Sequence, residues 1–273
     1  LRFHPGEESN DLQFCYLLQS FCDIFVNDAF GTCHRKHAST YGLAKLCEQR
    51  VAGLLLEKEI HSLSEIAYQP LRPMVGILGG AKVSDKVKTI ESLMRQCSKL
   101  IIGGAMAYTF LKSKGFKMGR SLVEESQLKL AEKLLSQARE NKCEIILPVD
   151  HMVSDNFDNI TNPRSTSGRD IEEDDIAMDI GQETREKFRL ALQGARSSFW
   201  NGPMGVFATA PFHEGTYALA KAVAESSAIH KVCGGGDSVS AVRKSGYEDE
   251  FSHISTGGGA SLKFLEGSLA GIE

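Results

Sequence analysis

The chain has 273 residues, 42% of them hydrophobic and 24% charged, which are ordinary values for a globular protein with room for one large domain or two smaller ones. A net charge of −4 argues against a nucleic-acid partner, and no apolar run reaches the roughly 18 residues of a membrane-spanning helix. Seven scattered cysteines, with no Cys-x-x-Cys pair, read as reduced and mostly buried thiols of a cytosolic protein; no secretory leader is visible at Leu1-Arg2-Phe3-His4-Pro5.

In chain order, Asp11–Ser20 patterns as a helix, Ile24–Val26 as a strand, and Val51–Ile66 as a long helix carrying Glu57, Lys58, Glu59 and Glu65. Gln69-Pro70-Leu71-Arg72-Pro73 ends that helix, because two prolines so close together cannot continue it, and marks a domain junction. From Met74 onward, short apolar runs ending in glycine alternate with amphipathic helix patterns. The runs are Met74–Leu78, Leu100–Ile102, Glu144–Leu147, Ser198–Trp200, Ile229–Val232 and Phe251–Ile254. The helical patterns are Ser84–Cys97, Met106–Ser113, Glu124–Glu140, Gln182–Gln193, Glu214–Ala224, Ser238–Lys244 and Ala260–Glu266. This alternation predicts an α/β fold, a parallel sheet with helices on both faces, whose ligands collect at the carboxyl ends of the strands. The polar stretch Asn156–Asp175 is expected to be an exposed excursion from the core.

The chemistry-bearing motifs lie at those strand ends. Gly79-Gly80-Ala81-Lys82-Val83-Ser84-Asp85-Lys86 follows one apolar run and opens a helix. Its small residues allow close backbone approach, helix-start amides favour an anion, and Lys82 and Lys86, four apart, are expected on one helix face, aimed at a polyphosphate. The plain alternative is a helix start with solvated lysines. No Walker A loop occurs, and no Gly-x-Gly-x-x-Gly, which disfavours a dinucleotide dehydrogenase. Gly234-Gly235-Gly236-Asp237-Ser238 places Asp237 where either a helix N-cap or a Mg²⁺ ligand is expected. Ile102-Gly103-Gly104-Ala105-Met106, Trp200-Asn201-Gly202-Pro203-Met204-Gly205-Val206-Phe207 and Ser255-Thr256-Gly257-Gly258-Gly259 repeat the design. One such loop is an ordinary strand-to-helix turn; five of them argue for one nucleotide cleft. Near the start, His34, Arg35, Lys36 and His37 suit an acidic small molecule, as do Arg2 and His4, although a solvated turn has the same composition.

The segments VNDAFGTCHRKHAS, ILGGAKVSDK, IIGGAMAYTFL, ILPVD, FWNGPMGVF, GGGDSVSAV and ISTGGGASLKFLEG resemble, in order and over essentially the whole chain, the signature blocks of the phosphoglycerate kinase family. The resemblance implies a cytoplasmic, monomeric enzyme of glycolysis with two lobes joined by a hinge helix. It implies reversible, Mg²⁺-dependent phosphoryl transfer between 1,3-bisphosphoglycerate and ADP, giving 3-phosphoglycerate and ATP. The division it implies is a 3-phosphoglycerate-binding lobe at 1–52, a connector at 53–72, a nucleotide-binding domain at 73–259 and a returning segment at 260–273.

Carried over by motif, Lys82 and the Gly258 amide serve the transferring phosphoryl. Lys86, Gly235, Gly236 and Ser238 grip nucleotide phosphates, and Asp237 holds the metal. Gly80, Ala81, Gly103, Gly104, Asn201, Pro203 and Val206 border the nucleotide, and Arg2, His34, Arg35 and His37 form the basic patch. Three positions depart from the family pattern: Ala208 stands for a ribose-binding glutamate, and Ala177 and Ala105 stand for glycines, so nucleotide binding is expected to be weakened but not abolished. Against the family pattern the chain also reads as short at its N-terminus and slightly short at its C-terminus, and a nucleotide-binding fragment with little or no kinase activity is the alternative expectation.

Overall fold

The structure, a computed structural model, describes residues 1–158, 160, 162–267 and 269–272. Its first elements build a small lobe. Helices α1 (Pro5–Glu8) and α2 (Leu12–Gln19) lead to β1 (Ile24–Asn27), and α3 (Leu43–Leu46) leads to β2 (Gln49–Ala52). The two strands pair in parallel with Ile24 opposite Gln49. Phe14, Cys15 and Ala38 form a separate small core, with Leu18 and Leu46 packed on it.

Helix α4 (Leu54–Ala67) leaves this lobe. The expected single helix over Val51–Ile66 is corrected here: Gln49–Ala52 is a strand, and extended Gly53 separates it from the helix. Gly53 has no side chain to cap α4, so Asp28 does it from just beyond β1, its Oδ1 accepting the Leu56 amide at 2.9 Å. A Cβ on residue 53 would lie 2.4 Å from Asp28 Cγ, so the cap requires glycine there.

The larger body follows in the order β3 (Met74–Leu78), α5 (Val87–Met94), β4 (Lys99–Ile102), α6 (Met106–Ser113), α7 (Leu128–Glu140) and β5 (Glu144–Ile146). Then come β6 (His151–Ser154), β7 (Arg164–Ser165), β8 (Ile176–Ile180), α8 (Gln182–Ala191), β9 (Ser197–Asn201) and α9 (Glu214–Ala224). The chain closes with β10 (His230–Gly234), α10 (Gly236–Ser245), β11 (His253–Ser255) and α11 (Gly258–Leu265). Six strands form one parallel sheet in the order β11-β10-β9-β3-β4-β5. Alternate side chains enter two cores: Met74 and Leu78 join the apolar layer of α4, α5, α6, α7 and α11, while Val75 and Ile77 join that of α8, α9 and α10. The sheet is therefore buried on both faces, as its unbroken apolar strands require.

The polar stretch Asn156–Asp175 is not all excursion. Its Arg164–Ser165 pairs antiparallel with β6, which also pairs with β8, and Ile171 bridges Met118; Asn159 and Thr161 lie outside the described residues. Beyond α11 the chain returns to the small lobe. The Gly271 amide donates to Cys33 O at 2.7 Å and Asn27 Nδ2 donates to Gly271 O at 3.1 Å; of the segment 260–273, Ser268 and Glu273 lie outside the described residues. One apolar cluster runs without a break from Phe30 and Cys33 through Leu56 and Leu63 to Leu78, Phe199 and Leu269. Among the described residues no helix is long and apolar enough to cross a membrane.

Candidate functional site

The order of the sheet places a crevice. From β3 the chain moves outward to β4 and β5; from β9 it moves the other way to β10 and β11. Adjacent β3 and β9 therefore diverge in connection, and such a switch point opens a gap at their carboxyl ends. A cavity of about 570 Å³ lies there, walled by Gly80 and Ala81 after β3, Gly104 and Ala105 after β4, Pro203, Gly205 and Val206 after β9, and Asp237 on α10. Tyr108, Arg120, Leu122, Phe157, Ile176, Ala177 and Met178 complete the wall.

Backbone hydrogen bonds lace these loops together. Gly79 N donates to Asn201 O at 2.9 Å, Gly80 N to Pro203 O at 3.2 Å, Gly104 N to Met204 O at 3.0 Å and Met106 N to Gly80 O at 3.0 Å. The approach tolerates no side chain at the seam, since a Cβ on Gly79 would lie 2.0 Å from Pro203 O. Gly104 has a φ of +66°, and a Cβ there would lie 2.6 Å from Gly80 N.

The two lysines separate. The helix expected over Ser84–Cys97 begins as a 3₁₀ turn, Ser84–Lys86, followed by α5, and Lys82 stands before it in open chain, exposed. Lys82 and Lys86 thus share no helix face. Glu124 satisfies the turn's amides, accepting Ser84 N at 3.1 Å and Ser84 Oγ at 2.6 Å. Lys86 turns under the strand ends, its Nζ donating to Gly79 O at 2.6 Å and to Asn201 Oδ1 at 2.7 Å. Burial lowers its pKa to about 8, against the opposing pull of the Asp85 and Asp237 carboxylates. Asn201 Nδ2 in turn donates to Gly234 O at 2.8 Å, so a single ammonium–amide pair fastens the ends of β3, β9 and β10.

Asp237 is not an N-cap. Gly235, at φ +100°, holds that position, and Asp237 sits exposed in the first turn of α10 with its side chain making no capping hydrogen bond. Ser238 Oγ accepts the Gly202 amide at 2.5 Å, which fixes the β9 loop against α10. Gly103 packs on Met204; a Cβ there would lie 2.3 Å from the sulfur. Gly258 lies beside the Gly235–Gly236 loop, 3.4 Å from Gly235 Cα measured from an ideal Cβ. Of the three departures from the family pattern, Ala105 and Ala177 line the cavity, while Ala208 is exposed and outside its wall.

The basic segment meets the far side of the same loops. An ideal Cβ on Gly259 lies 3.3 Å from His34 Nε2, and Gly257 packs against Phe30. The pKa of His34 is lowered, first by burial and then by Arg35, with His37 and Lys263 adding to the positive field. Arg35 Nε donates to His34 Nε2 at 3.4 Å. Arg2 is exposed and pairs with Glu8 at 3.5 Å. His37 Nδ1 lies 4.0 Å from Glu7, whose Oε2 accepts the Ser39 amide at 3.1 Å.

Two further residues of the site were not singled out as site residues in the sequence, although Lys263 lies within ISTGGGASLKFLEG. Lys263 on α11 joins the cationic group around His34. Glu59, fully buried on α4, accepts from His253 Nε2 at 2.7 Å, from Thr256 N at 2.7 Å and from Thr256 Oγ1 at 2.8 Å. The signal for Glu59 is its place in the apolar stripe Leu56, Glu59, Leu63, Ile66: a carboxylate at a core position has a partner there.

A parallel α/β sheet with a switch-point crevice, glycine loops over its strand ends and a cationic segment packed beside them defines an α/β protein with a ligand-sized crevice where such folds bind their ligands. Comparison with known proteins sets this class more narrowly. The family model described as phosphoglycerate kinase matches residues 1–268. The phosphoglycerate kinase of Anaeromyxobacter dehalogenans is 48% identical over 280 residues, covering 100% of this chain and 69% of its relative; that of Solibacter usitatus is 50% identical, covering 100% and 68%. Among solved structures, phosphoglycerate kinase from Coxiella burnetii superposes with a TM-score of 0.91 at 39% identity, covering 100% of this chain and 71% of its own. That from Pyrococcus horikoshii superposes with a TM-score of 0.85 at 34% identity, covering 99% and 70%. The chain belongs to the phosphoglycerate kinase family.

Proposed function

We propose that the chain binds Mg-ADP or Mg-ATP in the switch-point crevice and 3-phosphoglycerate or 1,3-bisphosphoglycerate against the basic segment, and that phosphoryl passes reversibly between them. The observation that carries this reading is the meeting of the two halves at one loop: a Cβ on Gly258 would come within 3.4 Å of Gly235, and one on Gly259 within 3.3 Å of His34. The first amides of α11 lack intrahelical partners and so face a group placed between the lobes. Phosphoryl transfer needs in-line positioning and charge neutralisation, which amides, lysines and a metal supply. Lys82, exposed beside the cavity, is the cation free to follow the transferring group; Lys86, held beneath, is the one that anchors the nucleotide phosphates.

The residues suit Mg²⁺. Among the described residues no three His, Cys, Asp or Glu side chains gather into a metal cage, but Asp237 offers one uncapped, exposed carboxylate to the cavity. Mg²⁺ is commonly held by one or two carboxylates together with substrate phosphates and water. Asp237 would hold it, and the chemistry it would supply is neutralisation of phosphate charge.

The same reading divides the chain into a substrate lobe at 1–52, a connector at 53–72, a nucleotide domain at 73–259 and a returning segment at 260–273. The separate small core around Phe14 and the return of Gly271 to Cys33 support that division. A soluble monomer acting in the cytoplasm is part of it.

A coupled assay with Mg-ATP and 3-phosphoglycerate, run beside calorimetry with Mg-ADP, tests the proposal. Turnover supports it, and binding without turnover marks the chain as a nucleotide-binding fragment. The absence of both removes the crevice as a nucleotide site.

A further inference from the structure

Two cysteines of the small lobe face each other. Cys22 Sγ and Cys47 Sγ lie 3.8 Å apart, across 25 residues of sequence. The separation follows from the strand register. β1 and β2 pair with an offset of 25, Ile24 to Gln49, and each cysteine stands two residues before the first pair of its strand. Neighbouring strands run about 4.8 Å apart, which falls inside the Cα span a disulfide bridges, roughly 4.4–6.8 Å. Both thiols are free and hydrogen-bonded to one another; Cys22 is partly exposed and Cys47 is buried at the 5% level. The remaining five cysteines are all buried.

We propose that Cys22 and Cys47 form a thiol-modification site, which takes a low-molecular-weight disulfide of the glutathione class and closes to an intramolecular disulfide. In the first step the Cys22 thiolate attacks one sulfur of the small disulfide. That S–S bond breaks, and one small thiol leaves and takes up a proton. In the second step Cys47, deprotonated, attacks Cys22 Sγ in the mixed disulfide and displaces the second small thiol. The two cysteines are oxidised by two electrons, and one small disulfide is reduced to two thiols. Exposure sets the order. Burial, together with the hydrogen bond to Cys22, raises the Cys47 thiol above its ordinary pKa, so Cys47 is the poorer first nucleophile and the resolving partner.

The closed loop contains Asn27–His37, including His34, Arg35 and His37. A crosslink there joins the entrances of both strands of the two-stranded sheet, whose β2 is exposed along its whole length. Removing loop freedom from the unfolded lobe raises its stability, and the amides of Ile24–Asn27 and Gln49–Ala52 exchange more slowly.

The experiment treats the reduced, folded chain with oxidised glutathione and follows intact mass, non-reducing peptide maps and hydrogen exchange. The expected result is a loss of about 2 Da with one 22–47 crosslinked peptide, slower exchange in both strands, and reversal by dithiothreitol. Cys47→Ser should instead stop at a stable glutathione adduct on Cys22, and Cys22→Ser should form no crosslink. Three outcomes overturn the proposal: a lasting adduct in the unsubstituted chain, no reaction at all, or crosslinks scattered over the other cysteines.

Discussion

Glu59 and His253 are hydrogen-bonded at 2.7 Å, although 194 residues separate them in the chain. The same carboxylate takes the amide and hydroxyl of Thr256, so the middle of α4 is tied to the loop that carries Gly257, Gly258 and Gly259. Burial favours the neutral acid, but the hydrogen bonds from His253, Thr256 and Ser255 outweigh it and hold Glu59 below its ordinary 4.5. Its stabilising contribution is therefore complete above that value and fades as pH falls through the lower, folded pKa. Glu59→Ala should cost on the order of 3 kcal/mol, because the donors of His253 and Thr256 lose their acceptor in a dry site. Denaturant unfolding of both forms at pH 7 and at pH 4 is the check, and an unchanged midpoint at pH 7 would remove Glu59 from this role.

Lys86 makes a prediction of opposite sign. Its folded pKa of about 8 lies below the ordinary 10.5, so the folded state carries the cost of a buried ammonium below pH 8. That cost is relieved as pH rises from about 8 toward 10.5, where the unfolded chain binds more protons than the folded one. A phosphate placed beside Lys86 restores its proton. Mg-ADP binding near pH 8.5 should then take up a fraction of a proton, read from calorimetry in buffers of different ionisation enthalpy. Uptake that persists undiminished in Lys86→Met would assign the proton elsewhere.

Exposed Lys82, next to the cavity-lining Ala81, and exposed Asp237 should separate kinetically. Lys82→Ala is expected to lower turnover on the order of 100-fold while leaving nucleotide affinity nearly intact, since its work lies in the transition state. Asp237→Ala should instead raise the Kd for Mg-ADP by roughly 10- to 100-fold, the loss of one charge-assisted contact. If both variants showed the same pattern in the coupled assay, the division of roles between them would fail.

The alanines that depart from the family pattern can be tested by reversal. Ala208→Glu should tighten ADP binding about fivefold through a ribose hydrogen bond worth on the order of 1 kcal/mol. Ala177→Gly removes a methyl from the cavity wall and should move affinity in the same direction. Calorimetry that shows no gain in either variant would mean that the base and ribose lie elsewhere in the cavity.

Much of the crevice was legible because its signals are local. Glycine runs after apolar strands mark carboxyl ends, and Gly80, Ala81, Gly104, Pro203, Val206 and Asp237 all reach the cavity. The inward turn of Lys86 was not legible, since its partner Asn201 is 115 residues away and no local spacing encodes that meeting. Lys82 and Lys86 were expected on one helix face from their spacing of four, whereas the helix begins after Lys82 as a 3₁₀ turn whose Ser84 amide goes to Glu124, 40 residues on. β2 escaped because Val51-Ala52 runs into Leu54-Leu55-Leu56, and four residues are too few to show a period of two. The β6–β7–β8 sheet was hidden for another reason: its pairing residues are divided by a polar stretch whose composition is that of a loop.

Protection against hydrogen exchange should fall unevenly. Residues 1–70 rest partly on the three-residue core around Phe14, and Leu12, Tyr16, Phe21 and Leu54 are exposed there, while the sheet of the larger body is covered on both faces. Amides in 1–70 are expected to exchange by smaller openings than those in 74–264. Equal protection across the two parts would contradict this.

Helix α4 is pinned at three points: Asp28 of the small lobe holds its first turn, His253 and Thr256 at the end of β11 hold its middle, and His230 of the neighbouring β10 meets Glu65 at 2.7 Å near its end. A rod so fixed transmits torque. Glu59 links the middle of that rod to the backbone just ahead of Gly257 through the Thr256 amide. The lobe carrying His34 and the amides of α11 are thus joined twice, through α4 and through the packing of Gly257 on Phe30 and the return of Gly271 to Cys33.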